Sequence, residues 1–525
     1  MLKKLAVLLI IVMIFINSGS IYVLAVSYNV TTYTELQTRV SAAMTTDIII
    51  LTSDITNGSA QLNINGNKTL DLNGKNLTII TSGSSTNADC IKLNSGAILT
   101  IMDSKPGTNK LIATSNYYYY SSASGSGINT SGGTLIIESG TIEAKGSYDA
   151  AGIGKGGSII INGGNVTAQG GGGDAVGGAG IGGASSGSSG GNITINGGNV
   201  TATGHPFAAG IGSGGRWGRA WYVEINGGTV VANGGHNASG IGGGSGSEPG
   251  YVYINGGNVT AAGGSAGAGI GGCYNTTGGL VNIQGGNVIA KGGDYGSCGI
   301  GGDKIDVSIS GGSVTAIKGT DNTSNLERNL DIYSTSGIQI LGGSVKADTF
   351  PAGFPKNNSS RLYPLNISCD DGVDDNSDIS LGSYIVPARH SSDDDTSYCW
   401  LPVGYSDLTA KIFGEKITAS LTVVPNNLNI FEIKNISLDP NYKVYGFQNA
   451  TGANFCVKRI AEGVKSVNLH IAVYDDRKLT GLVSKNVNCR QNEPIVFSNI
   501  FPLGGTSSKI MLWECDSMQP LINVL

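Results

Sequence analysis

Charged side chains are scarce in this chain, and their scarcity excludes several classes of protein. They make up 13% of the 525 residues, and the 32 lysines and arginines are scattered, whereas an average soluble domain has about 25% charged residues. A nucleic-acid-binding surface needs a basic stripe, so we expect no nucleic-acid partner. Proline is also rare, at 13 residues against 84 glycines, and no Gly-X-Y triplet recurs. The chain is therefore not collagen-like.

Cysteine and histidine are few and far apart. The eight cysteines form no CxxC pair and the four histidines are isolated, whereas structural zinc sites use closely spaced ligands. Cys273 and Cys298 fall on neighbouring repeats but five positions out of register, which is too far apart for a disulfide. We therefore predict neither a metal site nor a cofactor.

Long apolar runs are limited to the N-terminus. Two lysines precede an apolar run from Leu5 to Ile16, and Ala25 ends a stretch of short side chains suited to cleavage. This arrangement is typical of a secretory signal peptide, which we assign to residues 1–25. No second apolar stretch of about 18 residues follows, so we expect no transmembrane segment after cleavage and an extracellular or cell-surface protein.

What the sequence does contain is a repeat. An isoleucine is followed five positions later by valine or isoleucine, and two positions after that by alanine, with glycine between them. The motif occurs eight times at intervals of 24 to 34 residues, beginning at Ile137, Ile161, Ile195, Ile225, Ile254, Ile283, Ile309 and Ile340. A second motif, Gly-Ile-Gly, lies between copies and centres on Ile153, Ile181, Ile211, Ile241, Ile270 and Ile300. A repeat of this length indicates a solenoid.

Side-chain alternation predicts three short strands in each repeat. Val252 and Ile254 point inward and Tyr253 points outward, as a period of two requires. The next two glycines permit a sharp bend with positive φ. A second strand then points its valine and alanine inward, and the Gly-Ile-Gly isoleucine gives a third inward contact. One repeat is therefore one turn of a parallel β-helix, which rises about 4.8 Å.

Stacking of these turns places like residues over like residues. Inward columns of isoleucine, valine and alanine form the predicted core, and each buried isoleucine or valine contributes about 1.5–3 kcal/mol. At the bend, amide side chains align into a ladder. The ladder is formed by Asn162, Asn196, Asn226, Asn255 and Gln284.

The ends of a solenoid need caps, because they expose unpaired strand edges. Residues 34–43 predict a short amphipathic helix with Thr34 as its N-cap, followed by a first strand over residues 48–51. Prolines and aspartates become frequent after Ala347, which marks a boundary. We predict an all-β protein with a right-handed parallel β-helix over 26–350, an Asp-rich β module or linker over 351–425, and a β-sandwich-like module over 426–525.

The repeats resemble the right-handed parallel β-helix, or pectate-lyase-like, repeats of secreted Firmicutes surface proteins. The likeness is carried by the segments INGGNVTA, at residues 195–202, and AGIG, at residues 209–212, and covers roughly residues 130–350. The segments LHIAVYDDRKLTGLV, from Leu469, and IMLWECDSMQPL, from Ile510, look like a small C-terminal β-sandwich module of clostridial extracellular proteins. The resemblance implies a cell-surface or secreted protein. Because the β-helix fold serves lyases, hydrolases, adhesins and stalks, it does not by itself imply catalysis.

The outward side chains lack the carboxylates that such enzymes need. Pectate-lyase-like enzymes hold Ca²⁺ between several carboxylates and hydrolases use paired carboxylates, but only Glu224 and Asp306 are acidic at the outward positions of the isoleucine strand. Three turns, about 14 Å, separate them. We therefore predict a non-catalytic protein. A polysaccharide lyase or hydrolase remains the alternative, and it requires folding to assemble a cluster such as Asp294, Asp303 and Asp306.

Aromatic residues are the more informative outward group. Tyr222 and Tyr251 share an outward column on successive turns, and Tyr253, Trp221 and Trp217 lie nearby. Flat rings on a rigid sheet are suited to stacking on sugar rings, although they also serve to shield a neighbouring loop. We predict that these five residues bind an extracellular glycan or cell-wall polysaccharide. Without such binding, the protein is a spacer. Tyr117 to Tyr120 form a second aromatic run.

Two further interpretations are weaker. An outward column of threonine at Thr167, Thr201, Thr260 and Thr315 suggests ice binding, but Val231 and Ile289 interrupt it and threonine is common in strands. The aspartates between 370 and 378 offer oxygen ligands for Ca²⁺, but they lack the spacing of an EF-hand loop. We expect this segment to be a solvated acidic loop.

Overall fold

The computed structural model describes most of the chain in an all-β fold that contains a parallel β-solenoid of about eight turns. The described residues are 26–42, 46–57, 60–81, 89–116, 125–172, 177–185, 189–215, 218–247, 250–272, 277–320, 328–370, 378–388, 395–425, 429–448, 455–475, 478–497, 507–516 and 519–522. The predicted signal peptide lies outside them. Two compact units can be distinguished: Met1–Ser308 with Thr315–Ile338 and Ala347–Ala352, and Ile309–Val314 with Gln339–Lys346 and Gly353–Leu525.

Three stacks of parallel strands build the solenoid, as the repeat predicts. The first stack is Val26–Val30, Thr46–Leu51, Asn67–Asp71, Ile98–Met102, Thr134–Ile137, Ser158–Ile161, Ser189–Ile195, Arg219–Ile225, Gly250–Ile254, Thr277–Ile283, Ile300–Ile317 and Gly337–Lys346. The second is Ile55–Asn57, Leu77–Thr81, Leu111–Ser115, Thr141–Lys145, Asn165–Gln169, Asn199–Thr203, Thr229–Asn233, Asn258–Ala262 and Asn287–Lys291. The third is Leu62–Ile64, Ile91–Leu93, Ile128–Asn129, Ile153–Gly154, Ile181–Gly182, Ile211–Gly212, Ile241–Gly242, Ile270–Gly271 and Ile332–Ser334, and Ile300 pairs within it too.

The register confirms that like residues lie over like residues. Ile225 pairs with Ile254 in the first stack, Val230 pairs with Val259 in the second, and Ile241 pairs with Ile270 in the third. The isoleucine, valine and alanine columns are buried along their length, although Ala316 and Ala347 retain slight exposure. Because identical side chains fill identical positions, each turn packs on the next without a change of shape.

The two glycines at the bend are required for different reasons. The second glycine, Gly257, has φ of 85°, in the left-handed region that disfavours side chains. Gly256 has no such dihedral, but a Cβ there would lie 2.6 Å from the Asn226 carbonyl oxygen on the turn below. Positive φ therefore explains only one of the two glycines, and close approach of neighbouring turns explains the other.

The N-terminal cap differs in detail from the prediction. The helix spans Tyr33–Ser41 and its N-cap is Thr32, which forms a reciprocal capping box with Glu35. Thr34 was therefore the wrong choice, because Glu35 lies at the third helical position only when Thr32 is the cap. Leu36 and Val40 face the core. The first strand also precedes the helix, since Val26–Val30 pairs in parallel with Thr46–Leu51.

Antiparallel pairing dominates the second unit. One sheet contains Ser360–Cys369, Thr396–Pro402, Asn429–Asn435, Tyr442–Gln448, Phe455–Arg459 and Pro494–Phe497, beside the short strand Lys356–Asn357. Four strands, Asp378–Leu381, Tyr384–Pro387, Gly404–Ile412 and Glu415–Val423, form a second sheet, and Val464–Asp475, Lys478–Arg490, Ser507–Glu514 and Gln519–Pro520 form a third. The first sheet takes strands from both sides of the predicted boundary at residue 425, because Ser360–Cys369 pairs with Asn429–Asn435.

A buried polar group lies beside the core of this unit. The Tyr442 hydroxyl donates to Glu514 Oε2 at 2.6 Å, and Arg459 donates to the Tyr442 hydroxyl oxygen at 2.8 Å. Arg459 and Glu514 also form an ion pair at 3.5 Å, with their side chains only 8% and 10% exposed. Lys465 approaches the second Glu514 oxygen at 3.7 Å. Burial, followed by the Glu514 hydrogen bond, raises the pKa of Tyr442 well above its ordinary value.

Candidate functional site

Three of the five predicted aromatic residues, Tyr222, Tyr251 and Tyr253, lie on the outward side of the first stack, on two successive turns. Tyr222 pairs with Tyr251, and Glu224 pairs with Tyr253. The sheet therefore presents a square of four side chains in which each neighbour along the stack is about 4.8 Å away. We call Tyr222, Glu224, Tyr251 and Tyr253 the tyrosine face.

The rings of this face differ in exposure. Tyr251 is 47% exposed, which makes it one of the most exposed large side chains of the solenoid among the residues described. Tyr222 and Tyr253 are half-buried, and their ring centroids lie 5.4 Å apart with an angle of 34° between the planes. This tilted arrangement is a favourable aromatic contact. Two rings thus support each other, while the third presents its surface to solvent.

Glu224 lies between the tyrosines and accepts two hydrogen bonds from uncharged donors. Its carboxylate accepts from the Tyr222 hydroxyl at 3.4 Å and from Asn255 Nδ2 at 3.3 Å. Among the lysine and arginine side chains that the structure describes, none forms an ion pair with Glu224. Burial, followed by the negative charge of Glu224, raises the pKa of Tyr222. The hydroxyl therefore stays protonated and continues to donate.

The amide ladder borders this face and is confirmed over four turns. Asn196 donates to Asn162 at 2.8 Å, Asn226 to Asn196 at 2.9 Å, and Asn255 to Asn226 at 2.7 Å. The ladder ends at Glu138, which accepts from Asn162 at 2.9 Å. Since an amide nitrogen carries two hydrogens, Asn255 donates to both Asn226 and Glu224, and so fixes the position of the carboxylate.

Trp221 does not belong to the exposed face, and its inclusion among the sugar-contacting residues was wrong. Its side chain is only 4% exposed. The indole occupies space that only glycine leaves free, because a Cβ on Gly250 would overlap the ring and a Cβ on Gly190 would overlap the Trp221 Cβ. Trp221 shares the inward parity of Val223 and Ile225, so the strand period already assigns it to the interior. Its role is to pack beneath the tyrosine face.

Two other aromatic features of the sequence, Trp217 and the run from Tyr117 to Tyr120, lie outside the described residues. Sugar contact by Trp217 stays a prediction. The tyrosine face consists of what remains of the predicted set, Tyr222, Tyr251 and Tyr253, together with Glu224. In the sequence Glu224 stands out only as an outward acidic residue that is too distant from Asp306 for an acid/base pair, and Asn255 only as a residue of the amide ladder. Their adjacency across turns was the signal that links them to the tyrosines.

Comparison with protein families agrees with this geometry. Five segments match the family of the beta helix repeat: residues 135–154, 193–215, 223–245, 252–273 and 281–303. These five segments of the solenoid are similar to beta helix repeats. Glu224 and Tyr253 lie within two of these segments, and Tyr222 and Tyr251 each lie one residue before the start of a segment. No curated protein and no solved structure matches the chain.

Two of the three carboxylates suggested for a catalytic beta helix, Asp294 and Asp303, bind other side chains. Asp303 forms an ion pair with Arg328 and accepts from the Tyr333 hydroxyl at 3.0 Å. Asp294 accepts from Thr320 Oγ1 at 3.1 Å. Asp306 lies 3.6 Å from the position that a Cβ on Gly337 would take. Asp303 is thus held in a Tyr333–Arg328 cluster.

A small cavity lies beside that cluster. It has a volume of about 30 Å³ and is lined by Cys298, Asp303, Arg328 and Tyr333, together with glycine, alanine and serine. Cys298 is a free, buried thiol whose pKa burial raises to about 12, so it lines the cavity as a protonated thiol.

The weaker sequence interpretations have mixed outcomes. Thr167, Thr201 and Thr260 are exposed, but Thr315 is buried, so the prediction of an outward threonine column was wrong at Thr315.

In the acidic segment Asp370 accepts from the Asn435 backbone N–H at 2.7 Å, and residues 371–377 lie outside the described residues. Among the residues that the structure describes, no group of three or more His, Cys, Asp or Glu is arranged to hold a metal ion. None of the described helices is long and apolar enough to cross a membrane.

Proposed function

We propose that this protein is an extracellular, non-catalytic carbohydrate-binding protein that presents the tyrosine face of a beta helix to a cell-wall or other extracellular glycan. The observation that carries the proposal is the exposed ring of Tyr251, in register with Tyr222 and adjacent to Tyr253 and Glu224. The N-terminal pattern of lysines, apolar run and Ala25 supports secretion. The beta helix repeats support the adhesin-like role without requiring it.

Sugar rings need both an apolar surface and polar partners, and the tyrosine face supplies both. The C–H side of a sugar ring packs on an aromatic plane, and the hydroxyl groups require donors and acceptors at the rim. Tyr251 provides the exposed plane, while the Glu224 carboxylate and the amides of the ladder provide acceptors and donors. The stacked sheet holds these groups rigidly, which reduces the entropy lost on binding.

Affinity electrophoresis tests this proposal directly. The purified protein is run through gels that contain neutral, basic or acidic soluble polysaccharides, beside the variant Tyr251→Ala. Tyr295→Ala is the matched control, because Tyr295 is 53% exposed elsewhere on the same unit. We expect retardation on at least one polysaccharide, its loss in Tyr251→Ala and its retention in Tyr295→Ala.

The opposite results distinguish the alternatives. A protein that no polysaccharide retards does not bind glycans through this face, and a spacer role is then what remains. Equal retardation of wild type and Tyr251→Ala places binding elsewhere. Release of unsaturated sugars from a polyuronate would show that the beta helix is a lyase, contrary to the proposal.

A further inference from the structure

We propose that the tyrosine face selects its glycan by charge: it binds sugars that carry a free ammonium group and rejects acidic sugars. This inference rests on the proposed glycan-binding function and names the class of sugar. Its basis is the carboxylate of Glu224, which occupies the face without a cationic partner from the described residues.

The hydrogen bonds of Glu224 leave much of its acceptor capacity unused. An ionised carboxylate offers about four lone-pair positions, and the described residues supply two donors, the Tyr222 hydroxyl at 3.4 Å and Asn255 Nδ2 at 3.3 Å. Both bonds are longer than the usual range of about 2.7–3.2 Å. Neither donor carries a charge. A ligand with a cationic group therefore supplies the charged hydrogen-bond donor that Glu224 lacks among the described residues.

The tyrosine rings favour the same charge. The face of an aromatic ring attracts cations through its quadrupole, and Tyr222 and Tyr253 flank Glu224 along the strand and across the turn. An ammonium group on a sugar stacked here meets the carboxylate and the ring faces together. Hydrogen bonds between charged groups are roughly twice as strong as those between neutral ones.

An acidic sugar meets the reverse situation. Its carboxylate would approach Glu224 with the same charge and would have no cation of the face to bind, since the groups facing it are tyrosine, glutamate and asparagine side chains. Bringing like charges together in a partly dehydrated contact is unfavourable. The face is therefore unsuited to uronic acids. A neutral sugar should bind with an affinity between those of an amino sugar and an acidic sugar.

The test compares three hexasaccharides by isothermal titration calorimetry near pH 5.5: glucosamine, N-acetylglucosamine and galacturonate oligomers. We expect the glucosamine hexamer to bind at least about 10-fold more tightly than its acetylated counterpart, a difference of about 1.4 kcal/mol, and the galacturonate hexamer to show no binding. Glu224→Gln should reduce the preference for the free amine to within about twofold, because it removes the charge and keeps an acceptor oxygen.

Glu138→Gln is the matched control, because it removes the same charge from the same solenoid. Glu138 also accepts from a ladder asparagine, Asn162, but is not one of the residues of the tyrosine face. The net charge of −5 attracts a polycation wherever it binds, so an equal loss in both variants would overturn the inference in favour of non-specific attraction. Loss in Glu224→Gln alone supports it.

The remaining outcomes separate this inference from the proposed function. Equal affinity for the free and acetylated hexamers overturns charge selection and leaves glycan binding intact. Tightest binding of the galacturonate hexamer also overturns it, with the same consequence. Failure of all three hexamers, together with no retardation on any polysaccharide gel, overturns both.

Discussion

Two regions of the molecule contain the same hydrogen bond, a tyrosine hydroxyl that donates to a glutamate, and use it differently. In the second unit Tyr442 donates to Glu514, which Arg459 and Lys465 neutralise. On the solenoid Tyr222 donates to Glu224, and none of the cationic side chains that the structure describes pairs with Glu224. The first pair is buried and the second is half-buried at the surface.

The difference shows why one pair is structural and the other is available to a ligand. A buried carboxylate must be paired, because an isolated charge in the interior is highly unfavourable. Glu514 meets this requirement inside its own unit. Glu224 remains in contact with water, so its charge needs no partner for folding and is free to attract one from solution.

The largest effect is expected from Arg459→Ala. Removal of the arginine leaves the buried Glu514 with the partly exposed Lys465 as its remaining cation among the described residues, and breaking a buried ion pair in this way destabilises by about 3 kcal/mol or more. Urea unfolding of the second unit measures the change. Glu224→Gln serves as the comparison, with a change within about 0.5 kcal/mol, as is usual for a surface position. Equal changes in both variants would remove the contrast.

A smaller effect is expected from Gly250→Ala beneath the tyrosine face. The added methyl group would overlap the Trp221 indole, and overpacking of this kind usually destabilises by about 1–3 kcal/mol. Thermal unfolding of the solenoid reports the loss, and Trp221 fluorescence should change with it. Gly246→Ala is the control for added volume, since a Cβ there meets no atom within 4 Å, although its φ of 67° adds strain. A stable Gly250→Ala with unchanged fluorescence would mean that Trp221 does not pack there.

The smallest effect is a change in alkaline titration. Burial and then Glu224 raise the pKa of Tyr222, so its favourable contribution is complete below the ordinary tyrosine pKa of about 10 and is lost as the pH rises through the higher folded value. Tyrosinate absorbance followed with pH should therefore show one residue that titrates earlier in Glu224→Gln than in wild type. An unchanged titration curve would indicate that Glu224 does not act on Tyr222.

The solenoid was predictable from sequence because its physics is periodic. One pattern, repeated at equal offsets within each turn, gives the isoleucine, valine and alanine columns, the three strands per turn and the amide ladder. Because the same assignment is made independently in several turns, a turn with an atypical sequence can be assigned from its neighbours. The register Tyr222–Tyr251 was confirmed for the same reason. The interior position of Trp221 also follows from the strand period, although the sequence prediction grouped this residue with the outward tyrosines.

The structural features that the sequence did not predict depend on single contacts outside the repeat pattern. The N-cap at Thr32 depends on one reciprocal pair with Glu35. The Arg459–Tyr442–Glu514 cluster joins residues 17 to 72 positions apart in the chain, and no local pattern marks such a distance. Likewise, Asp303 looked available for chemistry until the structure showed Arg328 and Tyr333 beside it.

The tyrosine face exists only if Tyr222 lies over Tyr251 on the next turn, 29 positions along the chain, and a paired-cysteine experiment tests this register directly. Val231 pairs with Thr260 in the second stack, and neighbouring strands are about 4.8 Å apart, within the Cα separation that a disulfide allows. Oxidation followed by peptide mass spectrometry should find the cross-link in Val231→Cys/Thr260→Cys. It should be absent from Val231→Cys/Ala261→Cys, whose second position faces the core. No cross-link in the first variant, or an equal yield in the second, would contradict the stacked register and with it the tyrosine face.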